Sequence, residues 1–121
     1  MSELRAGRKR SHWMWFVFPQ LAGLGSSPMS QFYALASEDE ARAYLAHPVL
    51  GPRLRDATQI VTVSQASSLP ALFGGIDAVK FQSSMTLFAR VAAPGDTVFT
   101  EALRRWCGGL PDARTLELLG A

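Results

Sequence analysis

The chain has 121 residues and a mass of 13.2 kDa, and 48% of its residues are hydrophobic, with a mean hydropathy of +0.09. This length is typical of one domain with its own core, and the apolar content excludes an intrinsically disordered chain. The net charge of +2 comes from a basic cluster near the start, outside which the chain is slightly acidic. That cluster consists of Arg5, Arg8, Lys9 and Arg10. We therefore do not expect a nucleic-acid partner.

The content of cysteine and histidine excludes several kinds of site. The single cysteine, Cys107, allows neither a disulfide within the chain nor a cysteine-rich zinc site. His12 and His47 show no metal-ligand spacing, so we expect neither a metal nor a cofactor. The apolar run Trp13–Phe18 is far shorter than the roughly 20 residues of a membrane span, and no secretory signal pattern is present. These features predict a cytoplasmic protein without a membrane partner.

The N-terminal segments give weak signals for secondary structure. Residues 1–10 resemble the last turn of an amphipathic helix whose earlier turns are missing. We expect them to be poorly ordered or to contact another chain, because one helical turn alone is unstable in water. The aromatic segment SHWMWFVF, residues 11–18, is too short for its periodicity to decide between helix and strand. A helix is favoured because no nearby segment offers a strand to pair with, and at least two of its aromatic side chains are expected in the core.

Two helices are predicted around a junction that contains a proline. Ser37 precedes Glu40 by three residues, which is the capping-box pattern of a helix start. This helix should end at His47, because the residue before a proline disfavours the helical conformation. The ring of His47 is predicted to bond a helix end. The second helix is predicted from about Val49 to about Val63, with Pro48 in its first turn. The predicted buried residues are Ala41, Tyr44 and Leu45 in the first helix. In the second helix they are Leu50, Leu54, Ala57 and Val61.

The segment GGIDAVKFQSSMTLFARVAAPG predicts a long and mostly buried helix, bounded by Gly-Gly and Pro-Gly. Its apolar residues form two sides, Ile76, Val79, Leu87 and Val91 on one and Phe81, Met85, Phe88 and Ala92 on the other. Its polar residues form a narrow stripe between the two sides, consisting of Asp77, Lys80, Ser83 and Ser84. The helix that follows should be capped by Asp96 and stop at Gly108, and the last should span 112–119. Their predicted buried residues are Phe99, Leu103 and Trp106 in the first, and Leu116 and Leu119 in the second.

These elements together predict an all-α fold. We expect a single compact domain over residues 1–121, with about five to six short-to-medium helices around one core. Strand-like alternation is scarce in the sequence, whereas helix starts and stops are well marked.

Four segments, ELRAGRKRSHWMWFVFPQLAGLGSS, EARAYLAHPVLGPRL, FGGIDAVKFQSSMTLF and TLELL, resemble the domain of unknown function family 1810, a family of small bacterial proteins. The resemblance spans nearly the whole chain, and the blocks SHWMWF and YLAHPVLG are long and unusual. It implies an all-α domain whose activity is undetermined. It also implies that an N-terminal segment is missing here, because members of that family carry a further segment before ELRAG.

Unusual polar residues among the apolar blocks are the candidates for a ligand site. On a helix, Asp77, Lys80 and Ser84 lie three or four residues apart and share one face. A partly desolvated lysine beside serine hydroxyls suits a small anionic or nucleotide-like ligand. The candidates for catalysis are Lys80, Ser84 and His12, the last as a general acid or base. For ligand binding, Trp13 and Trp15 are candidates for a stacking wall, and Ser26 and Ser27 lie in the loop GLGSSP, whose backbone can donate hydrogen bonds. The other binding candidates are Gln20, Asp77 and Ser83. His47 and Arg53 are further unusual polar residues.

Packing explains the same residues without a ligand. Asp77 and Lys80 can form an internal ion pair, since buried charges need partners, and the serines can allow helices to approach closely. Cys107 is expected to act as a small apolar residue. Another hypothesis is an interaction module without chemistry, which docks through the aromatic segment or self-associates through an incomplete N-terminal edge. The sequence leaves these alternatives open, and with them the question of whether the protein is an enzyme.

Overall fold

A computed structural model of the chain describes residues 18–21, 34–64, 68–73 and 75–120, with the backbone alone at 69 and 75–77. Six helices lie in these ranges: α1 Glu38–Ala46, α2 Leu50–Thr62, α3 Leu69–Phe73, α4 Gly75–Val91, α5 Val98–Cys107 and α6 Ala113–Leu119. The described part of the chain contains no sheet, only an isolated parallel bridge between Leu21 and Leu35. The predicted all-α fold of one compact domain is confirmed. The predictions for residues 1–17 lie outside the described residues.

The start of α1 is set by its capping residues, as predicted. The Ser37 hydroxyl accepts a hydrogen bond from the Glu40 N–H at 3.2 Å. The Glu40 carboxylate in turn accepts one from the N–H of Ala36 at 3.1 Å, one residue earlier than in the usual capping box. Glu38 accepts a hydrogen bond from Arg90 of α4 at 2.9 Å. The first turn of α1 therefore lies beside the last turn of α4.

The predicted role of His47 at the α1–α2 junction is confirmed. Its Nδ1 accepts hydrogen bonds from the N–H groups of Val49 and Leu50, both at 3.1 Å. Its carbonyl oxygen accepts a third, from the N–H of Gly51, at 3.0 Å. One imidazole thus satisfies two of the N–H groups that a helix start leaves without intrahelical partners. Pro48, which has no N–H to satisfy, follows directly.

Gly51 permits the close packing of α1 against the start of α2. The residue is buried, and a Cβ atom there would overlap the carbonyl oxygen of Leu45, the next-to-last residue of α1. Because the obstacle is backbone, it cannot move aside as the end of a flexible side chain would. The sharp turn between the two helices therefore requires a residue without a side chain.

The long helix α4 lies at the centre of the described structure. Six consecutive residues, 83–88, are buried, and α1, α3, α5 and α6 all pack against this helix. The predicted burial of Phe81, Met85 and Phe88 is confirmed. Val79, which the sequence placed on an apolar side, is instead 57% exposed, because it lies before the stretch that other helices surround. A helix buried on every side is typical of a protein core rather than of an amphipathic surface helix.

From residue 68 onward, the structure differs from the sequence prediction in three details. Asp96 does not cap α5; it accepts hydrogen bonds from Arg55 of α2 at 3.0 and 3.2 Å, and α5 begins after Thr97 without a side-chain cap. Gly108 ends α5 in the left-handed conformation, as predicted. In α6 the fully buried residue is Thr115, whereas Leu116 and Leu119 are half-buried. The short helix α3 was not predicted.

We expect Gly51→Ala to lower the free energy of unfolding by about 2 kcal/mol or more, because the new methyl group must displace the Leu45 backbone. Equilibrium denaturation in urea measures this change. The sign of the change in unfolding free energy separates the two effects, since helix propensity alone would make the same substitution stabilising by about 1 kcal/mol. A more stable variant would show that α1 and α2 do not approach as closely as described.

Candidate functional site

The polar stripe of α4 is the part of the predicted site that the structure describes best. Ser83 is 1% exposed and Ser84 is fully buried, while Lys80 is half-buried. Asp77 belongs to the same helix, but its side chain lies outside the described residues. The predicted ion pair between Asp77 and Lys80 therefore stays a prediction. Ser84 follows Lys80 by four residues, so the two share one face of α4.

The hydroxyl of Ser84 differs from the other buried hydroxyls on the helices. The buried Thr115 hydroxyl donates a hydrogen bond to the Asp112 carboxylate at 2.7 Å. The hydroxyls of the buried Thr58, Ser83 and Thr86 and of the half-buried Thr62 each donate to the carbonyl four residues earlier, at 2.8 to 3.0 Å. This is the usual solution for a serine or threonine inside a helix. The Ser84 Oγ has no hydrogen-bond partner in the described structure, although its atom is out of contact with solvent. An unsatisfied buried hydroxyl costs free energy, so it calls for an explanation.

Two aromatic contacts cover the face of α4 that contains Ser84. Phe18 packs edge-on against Phe81, with ring centroids 5.0 Å apart, three residues before Ser84. Tyr44 of α1 packs against Phe88, with ring centroids 5.7 Å apart, four residues after Ser84. Residues three and four apart are neighbours on a helix face. Ser84 therefore lies between the segment 18–21 on one side and α1 on the other.

Of the remaining predicted site residues, only Gln20 is described. It is 8% exposed, and its backbone carbonyl accepts a hydrogen bond from the Leu35 N–H at 2.8 Å. Because it follows Phe18 by two residues, it belongs to the segment that packs on α4. The other candidates, His12, Trp13, Trp15, Ser26 and Ser27, lie outside the described residues.

Tyr44 is a polar group that sequence analysis assigned to packing alone. Its ring is half-buried, and burial raises the pKa of its phenol, while the nearby guanidinium of Arg53 lowers that pKa to a smaller extent. The hydroxyl therefore stays protonated at neutral pH and can donate a hydrogen bond. Arg53 was noted as an unusual polar residue, but its electrostatic effect on Tyr44 depends on how α2 folds back on α1, which local sequence does not show.

Neither a metal-binding cluster nor an activated thiol is found among the described residues. The described residues contain no group of three or more His, Cys, Asp or Glu side chains that could hold a metal ion. Among the described helices, none has the length and apolar character to cross a membrane. Cys107 is half-buried, and burial raises the pKa of its thiol, so the less nucleophilic protonated form predominates at neutral pH.

A recess of about 260 Å³ lies away from the polar stripe of α4, between the start of α1 and the end of α6. It is lined by Leu21, Ala36, Ser37, Glu38, Leu118 and Leu119. Its one charged group, Glu38, already pairs with Arg90 at 2.9 Å and with Arg42 at 3.5 Å. The charged group in the recess therefore already has partners, and none of the predicted site residues lines the recess.

Comparison with known proteins shows what the chain is related to. The model of a family described as protein of unknown function (DUF1810) matches residues 1–119. The chain belongs to this family. The crystal structure of the conserved hypothetical protein Rv1873 from Mycobacterium tuberculosis is similar at 52% sequence identity, with a TM-score of 0.94 over 99% of this chain and 85% of that one. None of the curated proteins matches the chain by sequence. The family resemblance inferred from the sequence is thus confirmed, and the family is one of uncharacterised function.

We expect Ser84→Ala to leave the free energy of unfolding unchanged or to raise it by up to about 1 kcal/mol. The substitution removes a buried hydroxyl that has no described partner, and alanine is the better helix former. Ser83→Ala is the matched control, since it removes a hydroxyl that donates to the Val79 carbonyl at 3.0 Å. Chemical denaturation measures the free energy of unfolding of both variants. A loss of more than about 1 kcal/mol in Ser84→Ala alone would show that its hydroxyl has a structural partner.

Proposed function

We propose that the protein binds a small anionic molecule at the face of α4 that contains Lys80 and Ser84. The observation that supports this proposal is the buried Ser84 hydroxyl without a described partner, one helical turn from a half-buried lysine. A binding site keeps polar groups unsatisfied until its ligand arrives, whereas a purely structural core pairs them. The paired hydroxyls of Thr58, Thr62, Ser83, Thr86 and Thr115 show the structural arrangement in the same molecule.

Each residue of the proposed site contributes a different interaction. The Lys80 ammonium supplies positive charge, and the Ser84 hydroxyl and the Gln20 amide supply hydrogen bonds. Ser83 contributes as an acceptor, since its hydrogen is donated to the Val79 carbonyl. The proposal assigns to Asp77 the role of orienting Lys80. The proposal assigns a stacking wall to Trp13 and Trp15, further donors to Ser26 and Ser27, and an acid–base role to His12 if the bound molecule reacts.

The setting of this proposal is a bacterial cytoplasm, where small phosphorylated and carboxylated molecules are abundant. The similarity to a mycobacterial protein favours a bacterial source. The cytoplasmic location is part of the proposal and follows from the sequence features given above.

Ligand binding by three α4 variants tests the proposal. Inorganic phosphate, citrate and adenosine 5′-monophosphate are the probes, with thermal shift used to find the one that stabilises the wild-type protein and calorimetry used to measure its Kd. We expect Lys80→Ala to weaken binding about tenfold or more, because a hydrogen bond to a charged group is lost. Ser84→Ala should weaken binding without loss of stability, and Lys80→Arg, which keeps the charge, should bind more tightly than Lys80→Ala.

Two results would contradict the proposal. One is a wild-type protein that none of the three probes stabilises at millimolar concentration. The other is a Lys80→Ala variant that remains folded and binds the selected probe as tightly as the wild type. If Lys80→Ala unfolds, the measurement on Lys80→Arg and Ser84→Ala still decides the question, since both variants keep the charge balance of α4.

A further inference from the structure

We infer that α6 is a lid, which opens as a unit about the exposed connection 108–111 and sets the width of the recess between α6 and the start of α1. The lid is independent of the proposed function, because none of the predicted site residues lines this recess. A helix that opens in this way needs weak apolar docking, a contact that can be released, and a hinge. The structure of α6 and its surroundings provides each of these.

The apolar side chains of α6 contribute little to its docking. Of its 7 residues only Thr115 is buried, and that residue is polar. Leu116 and Leu119 are half-buried, and Leu118 is 38% exposed. The neighbouring helix α5, by comparison, buries the whole side chain of Phe99. Because the burial of apolar surface is the main source of packing energy, α6 is held less firmly than α5.

Polar side chains of α4 hold the start of α6. The Thr86 hydroxyl accepts a hydrogen bond from the N–H of Asp112 at 2.8 Å, and the Gln82 amide donates one to the carbonyl of Leu110 at 3.0 Å. Gln82 and Thr86 are four residues apart and therefore lie on one face of α4. Asp112 also caps α6, since its carboxylate accepts from the N–H of Thr115 at 2.9 Å. Water can replace such hydrogen bonds at a modest net cost, so this contact can be released.

The connection from α5 to α6 has the properties of a hinge. All of its residues from 108 to 111 are exposed. Gly108 and Gly109 have positive φ angles of 63° and 80°, and a Cβ atom at either position would meet nothing within 4 Å. Two glycines in open space can change their backbone angles without displacing a neighbour. The motion of α6 can therefore be confined to this connection, while α5 stays packed.

The recess beside α6 changes with the position of the lid. Leu118 and Leu119 of α6 form one of its walls. The facing walls come from Leu21 and from residues 36–38 at the start of α1. Opening of α6 therefore removes one wall and leaves the recess open along Leu21, which is 5% exposed when the lid is closed.

Native-state hydrogen exchange at increasing urea concentration, followed by NMR, tests whether α6 opens as a unit. We expect the amides of Asp112 and of residues 116–119 to share one opening constant. It should be at least about tenfold larger than that of residues 83–88 of α4 and nearly independent of urea, since a local opening exposes little surface. The Asp112 amide is included because it donates to Thr86 and lies at the hinge end of the lid.

Variants of the α4 contact then assign the opening to specific hydrogen bonds. Thr86→Val and Gln82→Ala should each raise the shared α6 opening constant about fivefold, because each removes one hydrogen bond to the start of the lid. Thr58→Val is the matched control. Its hydroxyl is also buried and donates to the carbonyl four residues earlier at 2.8 Å, but in the described structure it accepts no hydrogen bond from another helix. This variant should leave the α6 opening constant unchanged.

Three results would overturn the inference. The first is exchange of the α6 amides only through global unfolding, with the same opening constant and urea dependence as α4. The second is a graded series of opening constants that falls from residue 119 to Asp112, which would show fraying of the helix end instead of a lid. The third is an α6 opening constant that neither Thr86→Val nor Gln82→Ala raises above its value in Thr58→Val. Gln82→Ala, at a half-buried position, decides this point if Thr86→Val is too unstable to measure.

Discussion

Residues 83–88 of α4 are withdrawn from water on every side of the helix, so each polar group among them needs a partner inside the protein. Ser83 and Thr86 meet this requirement with carbonyl groups of their own helix. The Thr86 hydroxyl also accepts a hydrogen bond from the N–H of Asp112 at 2.8 Å, which holds the start of α6 against α4. Ser84 alone among these hydroxyls is left unsatisfied in the described structure. The proposed function follows from this exception.

The other helices are fixed around α4 by polar contacts near their ends. Glu38 at the start of α1 binds Arg90 of α4, and Asp96 before α5 binds Arg55 of α2. The Trp106 indole of α5 donates to the Val61 carbonyl near the end of α2, at 2.9 Å. Contacts of this kind orient the helices while the apolar side chains between them supply most of the stability. On the Ser84 face, the rings of Phe18 and Tyr44 pack on Phe81 and Phe88, before and after Ser84 along the helix.

Local signals account for the parts of the fold that sequence analysis predicted well. The Ser37 cap, the His47 turn and the Gly108 stop each depend on residues within a few positions, and the structure confirms all three. Asp96 was assigned wrongly because its partner, Arg55, lies 41 residues away in the sequence. The burial of Thr115 in place of Leu116 depends on the rotation of α6 against α4, which a helix of 7 residues hardly specifies by its periodicity. The helix α3, with 5 residues, is too short for a periodic signal.

The candidate site was predictable in part for the same reason. Helical spacing alone placed Lys80 and Ser84 on one face, and the sequence pattern indicated a buried helix. The burial of the Ser84 hydroxyl without a described partner, and the packing of Tyr44 on Phe88, depend on contacts between distant segments. A residue assigned to the core by the apolar pattern, such as Tyr44, can therefore carry a polar group whose surroundings only the tertiary structure shows.

Native-state hydrogen exchange of the α4 amides tests most directly whether this helix is the enclosed centre of the protein. The account predicts that the amides of residues 83–88 exchange only through global unfolding, with an opening free energy equal to the unfolding free energy from denaturation. Exchange of these amides through local opening, at a lower free energy than the amides of α2 and α5, would contradict it.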